Sequence, residues 1–253
     1  MENKDLLMDP AKEIRLKNKH VDLLKGLVKT THFNLEELES LLVIHHKLTK
    51  ERPLDRKRVS QPGLDRRQRK VGIERNYAFV LDFSLISSTR KEVFWLSRFR
   101  EILHRCFDMT DDTLMDRMFS VLDKGARQHI NLESWLNMMS IFLRGTLEER
   151  IKYAFAVYDA IGDGHILKDN MFHLMHKFVV LPSYDEVDEV VTDMVEVLMK
   201  KMDVDLDGKI SFADFKTSVH KCPLLLEAMG QCLPTRSSIH AFLRTFSRNV
   251  GRF

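Results

Sequence analysis

Three segments of the chain repeat one pattern, and that repetition limits the fold more than any other feature. An apolar residue stands four positions ahead of an aspartate at Phe119/Asp123, Phe155/Asp159 and Met199/Asp203. An isoleucine follows each aspartate at the same offset: Ile130, Ile166 and Ile210. Five residues further on, Trp135, Met171 or Phe215 opens a second apolar stripe, continued as Met138, Met139 and Phe142 in the first copy and as Leu174, Met175 and Phe178 in the second. Stripes of this period are helical faces, so each copy reads as helix, twelve-residue loop, helix. Only 10 Gly and 6 Pro occur in 253 residues, and runs of Val, Ile and Thr are scarce, which favours helices over sheets.

The third loop carries the clearest chemistry. It reads DVDLDGKISFAD over residues 203–214. Asp203, Asp205 and Asp207 fall at alternating positions, where a tightly turning loop aims their oxygens at one centre. Gly208 sits where the chain must turn sharply. Lys209 offers its backbone carbonyl, Ser211 acts directly or through water, and Asp214 closes the set. This is the EF-hand calcium loop. Asp214 stands where glutamate is usual and is one methylene shorter. Bidentate coordination then requires the exiting helix to move inward, so the expected calcium Kd is about 10⁻⁶ to 10⁻⁴ M, with Mg2+ competing better than at a glutamate-closed loop.

The other two loops are depleted. In residues 159–170 Ile161 replaces a ligand and Asn170 the terminal acid, leaving Asp159 and Asp163; in residues 123–134 Gly125, Arg127 and Ser134 occupy ligand positions. EF-hands pair through a short backbone bridge, so the copies at 159 and 203 are predicted to pair, and the copy at 123 needs an upstream partner. Leu35, Leu38, Leu41, Leu42 and Leu48 mark one helix, opened by Asn34 and Glu37; Phe99, Ile102, Leu103 and Cys106 mark another. Together they predict a first hand whose loop is replaced by an insert. Helix boundaries are predicted at Thr110 as an N-cap, at Gly145 in the left-handed conformation, and at Thr146 with Glu149 as a capping box.

The fold class is therefore all-α, with two paired EF-hand lobes, the first degenerate and interrupted by a basic insert. The predicted organisation is a charged extension over 1–30, the degenerate lobe over 31–145 with its insert at 51–95, the C-terminal pair over 146–222, and a helix and tail over 223–253. Net charge is +3, but residues 47–75 hold eleven basic and four acidic residues, a net of +7 that leaves −4 for the remainder. Such a stretch reads either as a solvated linker or as an arm for an acidic surface such as tubulin, nucleic acid or an anionic membrane. Its lack of interleaved aromatics disfavours single-stranded nucleic acid, and nucleic acid is not among the expected partners. The segment FVLDFSLI, residues 79–86, is apolar enough to pack or to dock.

The sequence resembles the calaxin family of axonemal EF-hand proteins. FREILHRCFDMTDDTLMDRMF (99–119), LRGTLEERIKYAFAVYD (143–159), KKMDVDLDGKISFAD (200–214) and LLLEAMGQCLP (224–234) carry the resemblance. It implies a calcium sensor of the cilium or flagellum, associated with outer-arm dynein heavy chain, its docking complex or tubulin and tuning motility. Carried onto this chain, it implies Asp203, Asp205, Asp207, Lys209 and Asp214 as ligands for Ca2+. It also implies that residues 224–234 form an element packed on the EF-hand lobe.

Two mechanisms remain open at this stage: a sensor that exposes a groove of Met175, Met194, Met199, Met202 and Phe178, and a calcium-independent scaffold in which those side chains are core. A cytosolic EF-hand regulatory subunit is a further reading. An enzyme is not expected, because no Gly-rich phosphate loop, nucleophile elbow or HExxH motif occurs. His173 and His176 share a helix face without further zinc-type ligands nearby. Three cysteines, no apolar run long enough to span a bilayer, Glu2 at the myristoylation position and a terminal GRF predict a soluble, reduced cytoplasmic chain without a lipid anchor.

Overall fold

The computed structural model describes residues 8–50, 94–123, 129–177, 179 and 184–246. Its helices are α1 Pro10–Leu27, α2 Leu35–Lys50, α3 Leu96–Phe107, α4 Asp112–Leu122, α5 Leu132–Arg144, α6 Leu147–Tyr158, α7 Lys168–Met175, α8 Tyr184–Met202, α9 Phe212–Lys221 and α10 Arg236–Leu243. Four two-residue strands, β1 Phe94–Trp95, β2 His129–Ile130, β3 His165–Ile166 and β4 Ile210–Ser211, form two antiparallel bridges. Ile166 faces Ile210 in one, as the repeat predicts. In the other, Ile130 faces Phe94, so the copy at 123 does find its partner upstream.

The first hand is thus α2, β1 and α3. The strand takes Phe94 and Trp95 out of the stretch assigned from sequence to the insert; backbone pairing with β2 fixes them into the lobe. The two sides of the insert are held together by Arg98, whose Nε donates to the Leu48 carbonyl at 2.8 Å. The basic segment between them, the 79–86 segment, Gly125, Arg127 and Phe178 lie outside the described residues.

Local signals account for the boundaries. Asn34 and Glu37 make a reciprocal cap, Glu37 N–H to Asn34 Oδ1 at 2.9 Å and Asn34 N–H to Glu37 Oε2 at 3.1 Å. Thr146 and Glu149 form the expected capping box. The N-cap of α4 is Asp111, one residue beyond Thr110, because its carboxylate accepts both Thr113 and Leu114 N–H. Gly145 is extended, with φ −59°, where a left-handed conformation was predicted. Its glycine is explained by proximity instead: a Cβ there would lie 2.4 Å from the Ile141 carbonyl oxygen.

The N-terminal end carries more structure than its sequence announced. The segment read as a charged extension contains α1, capped by Asp9 with Pro10 in its first turn, and it buries Leu16, Leu24 and Leu27. Its polar face is held to α2 by Lys17, 3.2 Å from Glu39. After α9, a 3-10 turn at Pro223–Glu227 packs on α6 and α9. There the Tyr158 hydroxyl donates to the Gly230 carbonyl at 2.7 Å, and Glu227 Oε1 accepts Cys232 and Leu233 N–H at 3.1 and 2.9 Å. The chain then returns to the first lobe, where α10 packs on α3 and α5 and Phe242 stacks 5.2 Å from Phe107.

A buried ion pair fastens the α5–α6 junction. Arg144 grips Glu37 through both oxygens, at 2.8 and 2.6 Å, donates to the His32 carbonyl at 3.0 Å, and lies over the Phe33 ring. Glu37 is 6% exposed. Replacing Arg144 by alanine removes the positive charge that both oxygens of this buried carboxylate face, and is expected to cost about 3 kcal/mol in urea unfolding. Replacing Glu37 in addition should recover part of the loss, because no uncompensated charge then stays buried.

Candidate metal centre

The loop between α8 and α9 is shaped by its own carboxylates. Asp203, 8% exposed, accepts Asp207 N–H at 3.2 Å through one oxygen and Gly208 N–H at 2.9 Å through the other. Asp205 Oδ1 also accepts from Asp207 N–H at 3.3 Å, and Asp207 Oδ1 accepts Lys209 N–H at 2.8 Å. These Asx-type bonds curl the backbone around a common centre. Gly208 has φ +85°, the conformation glycine tolerates best.

Leu206 is the other left-handed residue of this loop, with φ 62° and a side chain 80% exposed. Packing therefore does not explain leucine there, while its backbone is strained. Leu206→Asn is expected to raise stability by about 0.5–1 kcal/mol, measured by chemical denaturation without calcium, because asparagine tolerates this region better.

One ligand oxygen from each of Asp203, Asp205 and Asp207 lies within 4.8 Å of the others. Two oxygens bound to Ca2+ at about 2.4 Å are at most about 4.8 Å apart, so the three meet the separation that sharing one ion requires. Their crowding has an electrostatic signature. The Asp205 carboxyl is pushed above its ordinary value by lost hydration first, and also by Asp207 and Asp214, against the opposing backbone bond from Asp207. A divalent cation would relieve that repulsion.

Asp214 stands apart from the three. Its Oδ2 accepts Ser211 N–H at 3.1 Å and Ser211 Oγ–H at 2.6 Å, while Ser211 Oγ accepts Asp214 N–H at 3.2 Å. It is the N3 residue of the α9 capping box. The Ser-x-x-Asp spacing carries that signal in the sequence. Lys209 follows Gly208 at the exit of the loop and leads directly into β4.

The neighbouring loop keeps the shape without the charge. Gly162 and Gly164 take φ +79° and +83° at positions equivalent to Leu206 and Gly208. Asp159 accepts their N–H groups at 2.7 and 2.9 Å. Ile161, at the missing ligand position, is 66% exposed. Sequence reading missed the residue that secures this loop: Arg117 of α4 donates to the carbonyls of Val157 at 3.2 Å and Asp159 at 2.8 Å. Its charge meets the negative end of α6. Nothing in the spacing of Arg117 announces a contact across the lobes.

Met175, Met199 and Met202 are buried, and of the described groove candidates only Met194 is substantially exposed, at 42%. His176 pairs with Asp188 at 2.8 Å. Among the described residues the histidines enter no three-ligand metal cluster, and no helix is long and apolar enough to cross a membrane.

A model of the EF-hand domain pair matches residues 148–219, from α6 to α9. Over 227 residues the chain is 40% identical to calaxin of Xenopus laevis, covering 89% of this chain and 92% of that protein. It is 39% identical to human calaxin over 223 residues, covering 88% and 90% of the two. The chain belongs to the calaxin family. Calaxin of Bos taurus is 48% identical over 156 residues, covering 61% of this chain and 74% of that protein. Together with the EF-hand match, this makes the chain a calcium-binding EF-hand protein of the calaxin family. Its all-α architecture and the β3–β4 bridge agree with that membership.

Proposed function

We propose that this chain is a calcium-responsive adaptor of the ciliary or flagellar axoneme that acts on outer-arm dynein or its docking complex. Asp203, Asp205, Asp207 and Asp214, with the backbone carbonyl of Lys209, supply the ligands. The observation that carries the reading is the cluster of three carboxylates within 4.8 Å in a calaxin-family chain. Bound calcium supplies the positive charge this cluster lacks, and Mg2+ competes because the closing acid is short.

The chain's own residues transmit a change at the loop. Asp214 caps α9, so any change in its hydrogen bonding bears on the start of that helix. On the same helix, Lys216 and His220 hold Glu148 of α6 at 2.9 and 2.7 Å. The β4–β3 bridge joins the loop to its neighbour, which Arg117 fastens to the first lobe. Lys177 and Thr113 provide a second tie between α4 and the region after α7. Calcium dependence thus has a continuous polar route to both lobes.

Co-sedimentation with purified outer-arm dynein tests this function. Binding is expected to change by about tenfold between calcium and chelator, within the usual range of coupling energies. Binding that chelator leaves untouched would favour a static scaffold instead, a reading supported by the burial of Met175, Met199 and Met202. No binding to dynein in either condition counts against both.

A further inference from the structure

A pocket of about 270 Å³ opens where α5, α6 and α10 meet, lined by Leu143, Arg150, Arg236, Ile239 and His240. Leu143 and Ile239 are buried and give it an apolar wall. Its remaining lining is basic or imidazole, with no carboxylate among the five residues. Arg150 Nε is buried and has no hydrogen-bond partner among the described residues. The acids nearest in charge are already engaged: Glu227 accepts the Cys232 and Leu233 N–H groups, and Glu149 holds His32 at 2.7 Å and Thr146 N–H at 2.7 Å. Burial holds Arg150 below its ordinary value, and Arg236 adds repulsion, against the pull of Glu227 and Glu149.

We propose that this pocket binds an oxyanion on a short side chain of a protein partner, a carboxylate or a phosphate monoester. Guanidinium groups match both by forked, charge-assisted hydrogen bonds. The volume lies just below the roughly 300–1,000 Å³ of pockets for whole small molecules, which suits an inserted side chain. Its apolar wall suits the methylene stem of such a residue. An occupant would touch the last turn of α5, the first turn of α6 and the C-terminal helix α10 at once. The site uses none of the loop carboxylates, so it stands independently of the calcium reading.

The test is an NMR titration of the full-length, ¹⁵N-labelled chain, following arginine Nε–H signals at constant ionic strength. The probes are N-acetyl-aspartate amide, N-acetyl-phosphoserine amide and, as the neutral control, N-acetyl-asparagine amide. Arg150→Met identifies the Arg150 signal and keeps its apolar stem. A saturable shift of that signal with either acidic probe is expected, about tenfold weaker in Arg236→Gln. Arg236 is exposed, so this second variant, read on the sequentially assigned backbone amides of α6 and α10, keeps the proposal testable even if Arg150→Met does not fold. The tighter of the two acidic probes identifies the side chain. Equal shifts with the neutral probe, no saturation with either acid, or unchanged binding in Arg236→Gln would each overturn the assignment.

Discussion

Lowering the pH from 7 to 4 is expected to cost the fold about 3 kcal/mol through His45 alone. His45 lies on α2 with no exposed surface, its ring 6.1 Å from that of Trp135. Burial, reinforced by His46 and His20, pushes its imidazole down from 6.5 to about 3. The folded chain therefore keeps it neutral at pH values where the unfolded chain protonates it. More protons are bound in the unfolded state between those two values, so the stabilisation is complete above about 6.5 and is lost as pH falls toward about 3. The slope is about 1.4 kcal/mol per pH unit within that window. Urea unfolding at several pH values, compared with His45→Phe, measures it. Carboxylates also titrate below about pH 5, so the informative quantity is the difference between the two chains. Parallel curves would show that His45 is protonated in the fold.

The second large effect concerns the loop itself. Asp203→Ala is expected to weaken calcium binding by more than about 100-fold, since it removes a ligand and also the acceptor that turns the chain at Asp207 and Gly208. Asp205→Asn separates these contributions. Asp205 is exposed, and the Asp207 amide it accepts from is shared with Asp203, so its loss mainly removes charge. Binding about tenfold weaker is expected for it. Asp214→Glu acts the other way. Its longer side chain can reach the ion while α9 remains in place, and binding about tenfold tighter is expected, with Mg2+ discriminated against more strongly. If Asp214→Glu left affinity unchanged, the shorter acid would not be what limits this loop.

Much of this architecture is legible in the sequence because EF-hand geometry is local. The offsets from Asp123, Asp159 and Asp203 to their isoleucines place the loops, and Ile166 and Ile210 meet across the bridge as that spacing requires. The caps at Asn34 and Thr146 are equally local, since donor and acceptor lie three residues apart. What escaped sequence reading depends on distant surfaces. The α1 helix has its apolar residues separated by charged turns, and packing against α2 brings them into the core. The path of α10 to the first lobe rests on Phe242 meeting Phe107, a contact no spacing encodes. Arg117 reaches a backbone carbonyl forty-two positions away, and a carbonyl has no residue-type signature. The proposed ligand set divides along the same line: Asp203, Asp205 and Asp207 converge within one turn, whereas Asp214 answers first to Ser211 at the head of α9.

The most direct test is a calorimetric titration of the purified full-length chain with calcium, in parallel with Asp203→Ala. A single saturable binding event with a Kd of about 10⁻⁶ to 10⁻⁴ M is expected for the native chain, and none over that range for the variant. A native chain that takes up no calcium, or a variant that binds as the native chain does, would contradict the assignment of residues 203–214 as the calcium site.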